Sequence, residues 1–244
     1  MDTLSVLAAG GMKARMNALD LLANNIANGN TAGFKADREF YDVFVSTDAA
    51  AGDGRPAEIT DVCRQWIDFS QGSILATGNP TDLAISGKGF LQVDGPTGPL
   101  LTRTGSLRLS QAGELVTAEG YKLKDDVGQP IRLDAREAFT VAADGTVNQA
   151  GRAVARVALV DVVKPDVLIK QGNGYFRLSD VSALQKASTA EIQQGKLEAA
   201  NLAPAESAVR LVSVMRQFEM LQKAAAIGAD MNRRAVEEVA RVNG

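Results

Sequence analysis

LANNIANGNTAGFK, residues 22–35, carries four asparagines (Asn24, Asn25, Asn28 and Asn30) within seven positions, just where a helical apolar pattern stops. Asparagine is a weak helix former and is costly to bury unless its amide is paired. A helix terminus accounts for part of the cluster. Asparagine tolerates left-handed backbone, and Gly29 and Gly33 suit a chain leaving a helix. It does not account for Asn24 and Asn25, which precede the end. A polar side chain in or beside an apolar seam lowers stability but fixes register and partner number. The stretch therefore marks a helix boundary and a candidate assembly surface, where Asn24, Asn25, Asn28 and Asn30 hydrogen-bond to neighbouring backbone.

Upstream, residues 3–28 are predicted helical. Ala9, Met12, Met16, Leu19, Ala23 and Ile26 are spaced 3, 4, 3, 4 and 3, a heptad-like seam. A second helix is predicted over 205–241. Pro204 suits its first turn, Glu206 its positive end, and Arg233, Arg234 and Arg241 its negative end. Its seam starts with Ala208, Leu211, Met215 and Phe218. Gln222 interrupts it, and Ala225, Ala229, Asn232, Val236 and Val239 resume it. Each helix has a narrow apolar stripe that needs a partner. The simplest partners are the other helix and further copies of the chain.

Between the helices the period changes. ISGKGFLQV (85–93) reads as strand, turn, strand. SLRLSQAGELV (106–116) reads as a hairpin turning near Gly113, and FTVAADGTV (139–147) as one turning at Asp144-Gly145, since Asp-Gly supplies the positive φ such turns need. VARVALVDVV (154–163) reads as one strand buried on both faces. Frequent glycine turns place an all-β domain at 74–200. Residues 35–73 read as an extended connector, flexible at 48–57, and the termini, 1–34 and 201–244, as a helical inner domain. The fold class predicted is α+β: long N- and C-terminal helices pairing as a coiled coil, with a central all-β domain.

Composition narrows the chemistry. The chain has 244 residues, 45% of them apolar, so a packed core is attainable. Net charge is −3 with no long basic tract, which disfavours nucleic acid. There is no histidine, the commonest general base and metal ligand. Cys63 is the only cysteine, so an internal disulfide is impossible and a zinc site has too few ligands. The opening MDTLSVLAAGGMKARM lacks a basic n-region and runs on as amphipathic helix, unlike a cleaved signal peptide. No apolar run approaches the ~18 residues of a membrane span.

The local motifs have plain structural readings. SGKG at 86–89 fails the phosphate-loop pattern because Gly89, not Ser or Thr, follows Lys88. It reads as a turn. Asp125-Asp126 lacks calcium-loop spacing and reads as a solvated turn. Cys63 reads as a small apolar residue, having no base motif beside it. No catalytic, cofactor or metal site is expected.

The asparagine stretch itself resembles the N-terminal signature of bacterial flagellar rod and hook proteins, ANN-[LI]-AN-x-NT-x-GFK. Asn24, Asn25, Ala27, Asn28, Asn30, Thr31, Gly33, Phe34 and Lys35 match it. The resemblance continues through TGNPTDLAISGKGFLQV (77–93), LTRTGSLRLSQAGELVTAEGYKL (101–123) and QGKLEAANLAPAESAVRLVSVMRQFEM (194–220). Gly29 stands where the family often has Val or Ser, and NLAPAESAV (201–209) departs from the usual lead into the last helix. In length and connector the chain is most similar to the proximal-rod members.

The resemblance implies a structural subunit that polymerises helically into the axial shaft carrying motor torque to the hook. It implies paired terminal helices inside, a β domain outside, and export across the membrane by the flagellar export apparatus without a cleaved signal. Partners would be other rod proteins and copies of itself, with no nucleic acid and no membrane insertion. The expected assembly interface comprises Met12, Met16, Leu19, Asn24, Asn25, Ile26, Asn28, Asn30, Gly33, Phe34, Leu211, Met215, Phe218, Ala225, Ala229, Val236 and Val239. The alternatives are a distal-rod or other axial protein, and a non-polymerising adaptor whose helices bind a partner.

Overall fold

The computed structural model describes residues 3–45, 58–179, 183–187 and 189–242 and, within them, all side chains except those of 3–7, 40–45, 58–65, 235–236, 239–240 and 242. The chain divides into two units. Unit 1 comprises Met1–Ala27, Asp37–Ile67 and Ala203–Gly244; unit 2 comprises Asn28–Ala36 and Asp68–Leu202.

Unit 1 contains α1 (Thr3–Ala27), β1 (Asp37–Val45), β2 (Glu58–Ile67) and, at the far end of the sequence, α2 (Pro204–Val242). Proline opens α2, where its missing N–H is no loss. Ala203 O accepts from Ser207 N at 3.0 Å to start the ladder. Glu206 in the first turn and Arg241 in the last complement the helix dipole.

The two helices run antiparallel. Gly11 lies against Leu221, whereas Ala18 and Leu22 cluster with Val214 and Leu211. The buried faces lie one residue back from the seams read by periodicity. In α1, Ala8, Ala14, Ala18, Leu21, Leu22 and Asn25 are buried, while Ala9, Met16 and Ala23 are exposed. In α2 the covered positions are Ser207, Leu211, Val214, Phe218, Leu221, Ala225 and Gly228, with Gln217 beside them, so a seven-residue spacing is present but its phase differs. Leu211, Phe218 and Ala225 keep their places; Ala208, Met215 and Ala229 face out. Gln222 interrupts nothing, because Leu221 occupies the seam. The reason is steric. A Cβ on Gly11 would sit 3.2 Å from Leu221 Cδ1, so the helices approach over small α1 residues and push the long Met12 and Met16 to the flank or outside. The side chains of Val236 and Val239 lie outside the described residues.

Within residues 35–73, expected as an extended connector, β1 and β2 pair as an antiparallel ribbon. Asp37 stands opposite Ile67 and Val45 opposite Glu58, with a bulge at Phe40/Tyr41. The aromatic and β-branched content of EFYDVFV and EITDVCRQWI favours strands. α1 packs on this ribbon as well as on α2. The Arg210 guanidinium pairs with Glu39, whose side chain is almost fully buried. The flexible middle expected at 48–57, and the side chain of Cys63, lie outside the described residues.

Unit 2 is built from short strands. First come β3 (Ile74–Ala76), β4 (Leu83–Ser86), β5 (Phe90–Gly95), β6 (Gly98–Thr102), β7 (Leu107–Leu109), β8 (Leu115–Thr117) and β9 (Lys122–Leu123). Then follow β10 (Phe139–Val141), β11 (Thr146–Gln149), β12 (Arg152–Arg156) and β13 (Leu159–Val162). A 3-10 turn at Pro165–Val167 leads to β14 (Leu168–Gly172), β15 (Tyr175–Leu178), β16 (Leu184–Lys186), β17 (Glu191–Gln194) and β18 (Lys196–Glu198).

Among the described residues the largest sheet has nine strands. Its order is β14-β15-β6-β5-β9-β8-β7, with β13 on β5 and β16 on β13. β10, β11 and β12 form a second sheet, β17 pairs β4, and β18 pairs β3. Leu83, Ile85, Leu91, Val93, Leu123 and Val147, drawn from separate sheets, share one buried core.

Both predicted hairpins form: β7–β8 around Gly113 and β10–β11 around Gly145. The stretch 154–163 is not one strand. It splits at Val157–Ala158 into exposed β12 and buried β13, which belong to different sheets. Val157 N bonds Gly145 O and Ala158 N bonds Lys124 O, carrying the chain from one sheet to the other. β4 and β5 flank the 87–89 turn without pairing to each other.

Candidate functional site

The asparagine stretch straddles the end of α1, and each part of it is held differently. Asn25 is buried in unit 1. Its Nδ2 donates to Asp37 O at 2.8 Å, and Asp37 N donates to its Oδ1 at 3.0 Å. One side-chain amide thus reproduces the two bonds of a strand pair and fastens the end of α1 to the first residue of β1. Asn25→Leu removes both of these bonds to Asp37 in a partly buried setting. A loss of ~2 kcal/mol in unit 1 is expected, read as a lowered urea midpoint. A change within experimental error would mean that water replaces the amide.

Residues 28–36 belong to unit 2. Asn28 O accepts from Thr31 N, and Gly33 then adopts φ 69° and donates its N–H to Glu198 O at 2.7 Å. Phe34 is buried beneath the Lys170 ammonium, which lies 4.6 Å from the ring centroid and donates to Lys35 O at 2.7 Å. Thr104 Oγ1 donates to Ala32 O at 3.0 Å. Asn201 closes the seam. Its Oδ1 accepts from Ala36 N at 2.8 Å, and its Nδ2 donates to Asp68 O at 2.6 Å.

Under this seam lies a buried charge cluster. The Lys35 and Glu198 side chains are 0% exposed, and Lys35 Nζ stands 2.6 Å from Glu198 Oε1. The ammonium also donates to Ser70 O at 2.6 Å, and Gly72 N donates to Glu198 Oε1 at 2.9 Å. Arg103 Nε sits 3.1 Å from Glu198 Oε2, an ion pair by distance whose angle falls short of a hydrogen bond. The other guanidinium nitrogens donate to Gly89 O and Gly87 O, each at 2.9 Å. Burial pushes both the Lys35 and the Arg103 pKa below their ordinary values; the Glu198 carboxylate opposes this in each case. The 86–89 turn is therefore an acceptor for Arg103. At the other motif read as a turn, Asp125 Oδ1 accepts from Val127 N and Gln129 N and closes a turn of its own.

The residues expected at an assembly surface fall into three groups. Met16, Asn24, Asn30, Met215 and Ala229 are exposed. Met12, Leu19, Ile26, Asn28, Leu211, Phe218 and Ala225 are half-buried. Asn25, Gly33 and Phe34 are buried within their own units, and their partners belong to the same chain. In this chain the motif uses those three for internal closure. Among the described residues no group of three His, Cys, Asp or Glu side chains is placed to hold a metal, and no helix is long and apolar enough to cross a membrane.

Sequence reasoning passed over Arg103, Glu198 and Asn201. LTRTG and GKLEAAN each set a polar side chain among small or apolar neighbours, a signal too weak to distinguish burial from a surface strand. It also missed a second apolar stripe on α2. Val209, Val212, Met220, Ile227 and Met231 are exposed, and at 100° per residue they fall on one face, turned away from the face that meets α1. Val209, Met220 and Met231 are spaced by eleven, a repeat that a search for heptads does not find.

Two family models match the chain: the flagella basal body rod protein model over residues 7–35, and the flagellar hook protein FlgE/F/G D1 domain over 84–149. The first ends on Lys35, so it takes in most of α1 and the Gly33-Phe34-Lys35 closure. The flagellar basal-body rod protein FlgF of Caulobacter vibrioides is 35% identical, with 100% of both chains covered. FlgF of Mesorhizobium japonicum is 32% identical over 89% of each chain. The flagellar basal-body rod protein FlgG of Bacillus subtilis is 30% identical over 87% of this chain and 90% of its own. With the paired terminal helices, the central β unit and these full-length similarities together, the chain belongs to the flagellar basal-body rod protein family.

Proposed function

We propose that this chain is a structural subunit of the flagellar basal-body rod, polymerising through its terminal helices into the axial shaft that transmits torque to the hook. The observation that carries this reading is the double-faced α2. One face meets α1 within unit 1. The other presents Val209, Val212, Met220, Ile227 and Met231 to solvent along roughly 33 Å of helix. Exposed apolar surface of that extent is an interaction site. From Ala229 onward, every described side chain of α2 is exposed. A contact that joins different faces of successive copies does not close on itself and yields a helical filament.

The finer parts of the proposal follow the family. The helices of neighbouring subunits pack as a coiled coil, with other rod proteins and further copies as partners. The chain reaches the periplasmic rod through the export apparatus without a cleaved signal. A proximal-rod position is the reading proposed, with the distal rod or another axial protein as the alternative; relatives named FlgF and relatives named FlgG both match the chain.

Met220→Glu combined with Ile227→Glu tests the surface. Both positions are exposed, so the isolated chain should keep its stability within ~0.5 kcal/mol. Incorporation into basal bodies should be lost, read by immunoblot of purified basal bodies. Normal incorporation would move the contact elsewhere.

A further inference from the structure

The buried charge cluster joins segments that are distant in sequence. Lys35 and Glu198 are 163 residues apart. Around them, three segments bond chiefly to one another. Gly33 N meets Glu198 O, Lys35 Nζ meets Ser70 O, Gly72 N meets Glu198 Oε1, and Ala199 N meets Ser73 O. β18 pairs with β3 and not with the nine-stranded sheet. The described links from these segments to the rest of unit 2 are largely polar and include Arg103 to Glu198, Thr104 to Ala32, Gln71 to Ile85 O and Gly87 N, and Lys170 to Lys35 and the Phe34 ring. The main core instead draws on aliphatic side chains such as Leu91, Val93 and Leu123.

We propose that residues 28–36, 70–76 and 196–201 form a strap that closes over unit 2 as one cooperative element, with Lys35, Arg103 and Glu198 as its latch. The physical basis is an imbalance. A buried ion cluster gains little net free energy once desolvation is counted, yet it fails badly when one member is missing. The apolar core carries no such condition. Unit 2 therefore has an open form in which the core strands stand and the strap is undone, lower in free energy than global unfolding. Arg103 keeps Gly87 O and Gly89 O in that form, so its charge stays solvated by carbonyls while Lys35 and Glu198 leave together. Closure also needs the chain on both sides of the core. With 163 residues between the two ends of the latch, it completes only when the last strand, β18, arrives. The fold thus carries its own completion signal, independent of the assembly reading above.

Peptide-resolved hydrogen exchange on the full chain tests this. In the wild-type protein the three strap segments should exchange together, well ahead of β5, β6 and β9. Glu198→Gln keeps the shape and removes the anion. It should speed exchange of the strap by at least ~30-fold, leaving the rate in β5, β6 and β9 within about 3-fold of wild type. Lys35→Met is the second variant and should release the same three segments. The proposal fails if strap and core exchange in one step in the wild type. It fails equally if Glu198→Gln accelerates both alike, or neither.

Discussion

Gly33→Ala should destabilise unit 2 by about 3–5 kcal/mol, although it adds a single methyl group. Two effects combine. Gly33 has φ 69°, which costs an alanine about 1–2 kcal/mol. A Cβ there would also lie 2.4 Å from the Arg103 carbonyl carbon and 2.5 Å from Thr104 N. These are backbone atoms and cannot swing aside. Gly78 separates the two effects. Its φ is 72°, and a Cβ on it would meet nothing within 4 Å. Gly78→Ala should therefore show only the conformational part, about 1–2 kcal/mol. Urea unfolding of both variants measures the difference. Equal losses would show that the backbone around Arg103 relaxes, and that the glycine of the motif is there for its φ alone.

Phe176→Ala should cost about 3–5 kcal/mol in the same unit. Phe176 is fully buried and stands at one corner of a trio with Phe69 and Phe90, at centroid distances of 5.5 and 5.8 Å. Phe69 meets Phe90 edge-on at 5.6 Å. The trio joins β15, β5 and the segment ahead of Ser70, so removing one ring opens a cavity lined by the other two. Phe176→Leu should recover more than half of the loss, because the aliphatic side chain refills most of that volume. A loss under ~1 kcal/mol for Phe176→Ala would mean that the cavity collapses and the trio is not a rigid anchor.

Much of this was legible in the sequence because it rests on short-range rules. The period change at Asn28, Pro204 at the head of α2, and Asp144-Gly145 at a hairpin each act within a few residues. The phase of the helix seams was not legible. Periodicity favours the large apolar residues and so puts Met12 and Met16 in the seam. In the fold, Gly11, Ala14 and Ala18 take the close approach and the methionines are displaced. The asparagine stretch was half legible. The Asn25 side chain does bond to backbone, but it reaches Asp37 of its own chain, and no local pattern distinguishes that from a neighbour's backbone. The Lys35–Glu198 pair was not legible at all, since residues so far apart meet only through the complete topology of the β unit. The β1–β2 ribbon was not legible because its two strands lie on either side of a polar stretch. That separation made each half read as an isolated cluster.

The central claim is that this chain builds the rod. The most direct test is electron microscopy of basal bodies from cells lacking the gene, paired with a swimming assay. The account predicts non-swimming cells with rods absent or stopped short, and the point of arrest gives the subunit's position along the axis. Swimming cells with complete rods would contradict it.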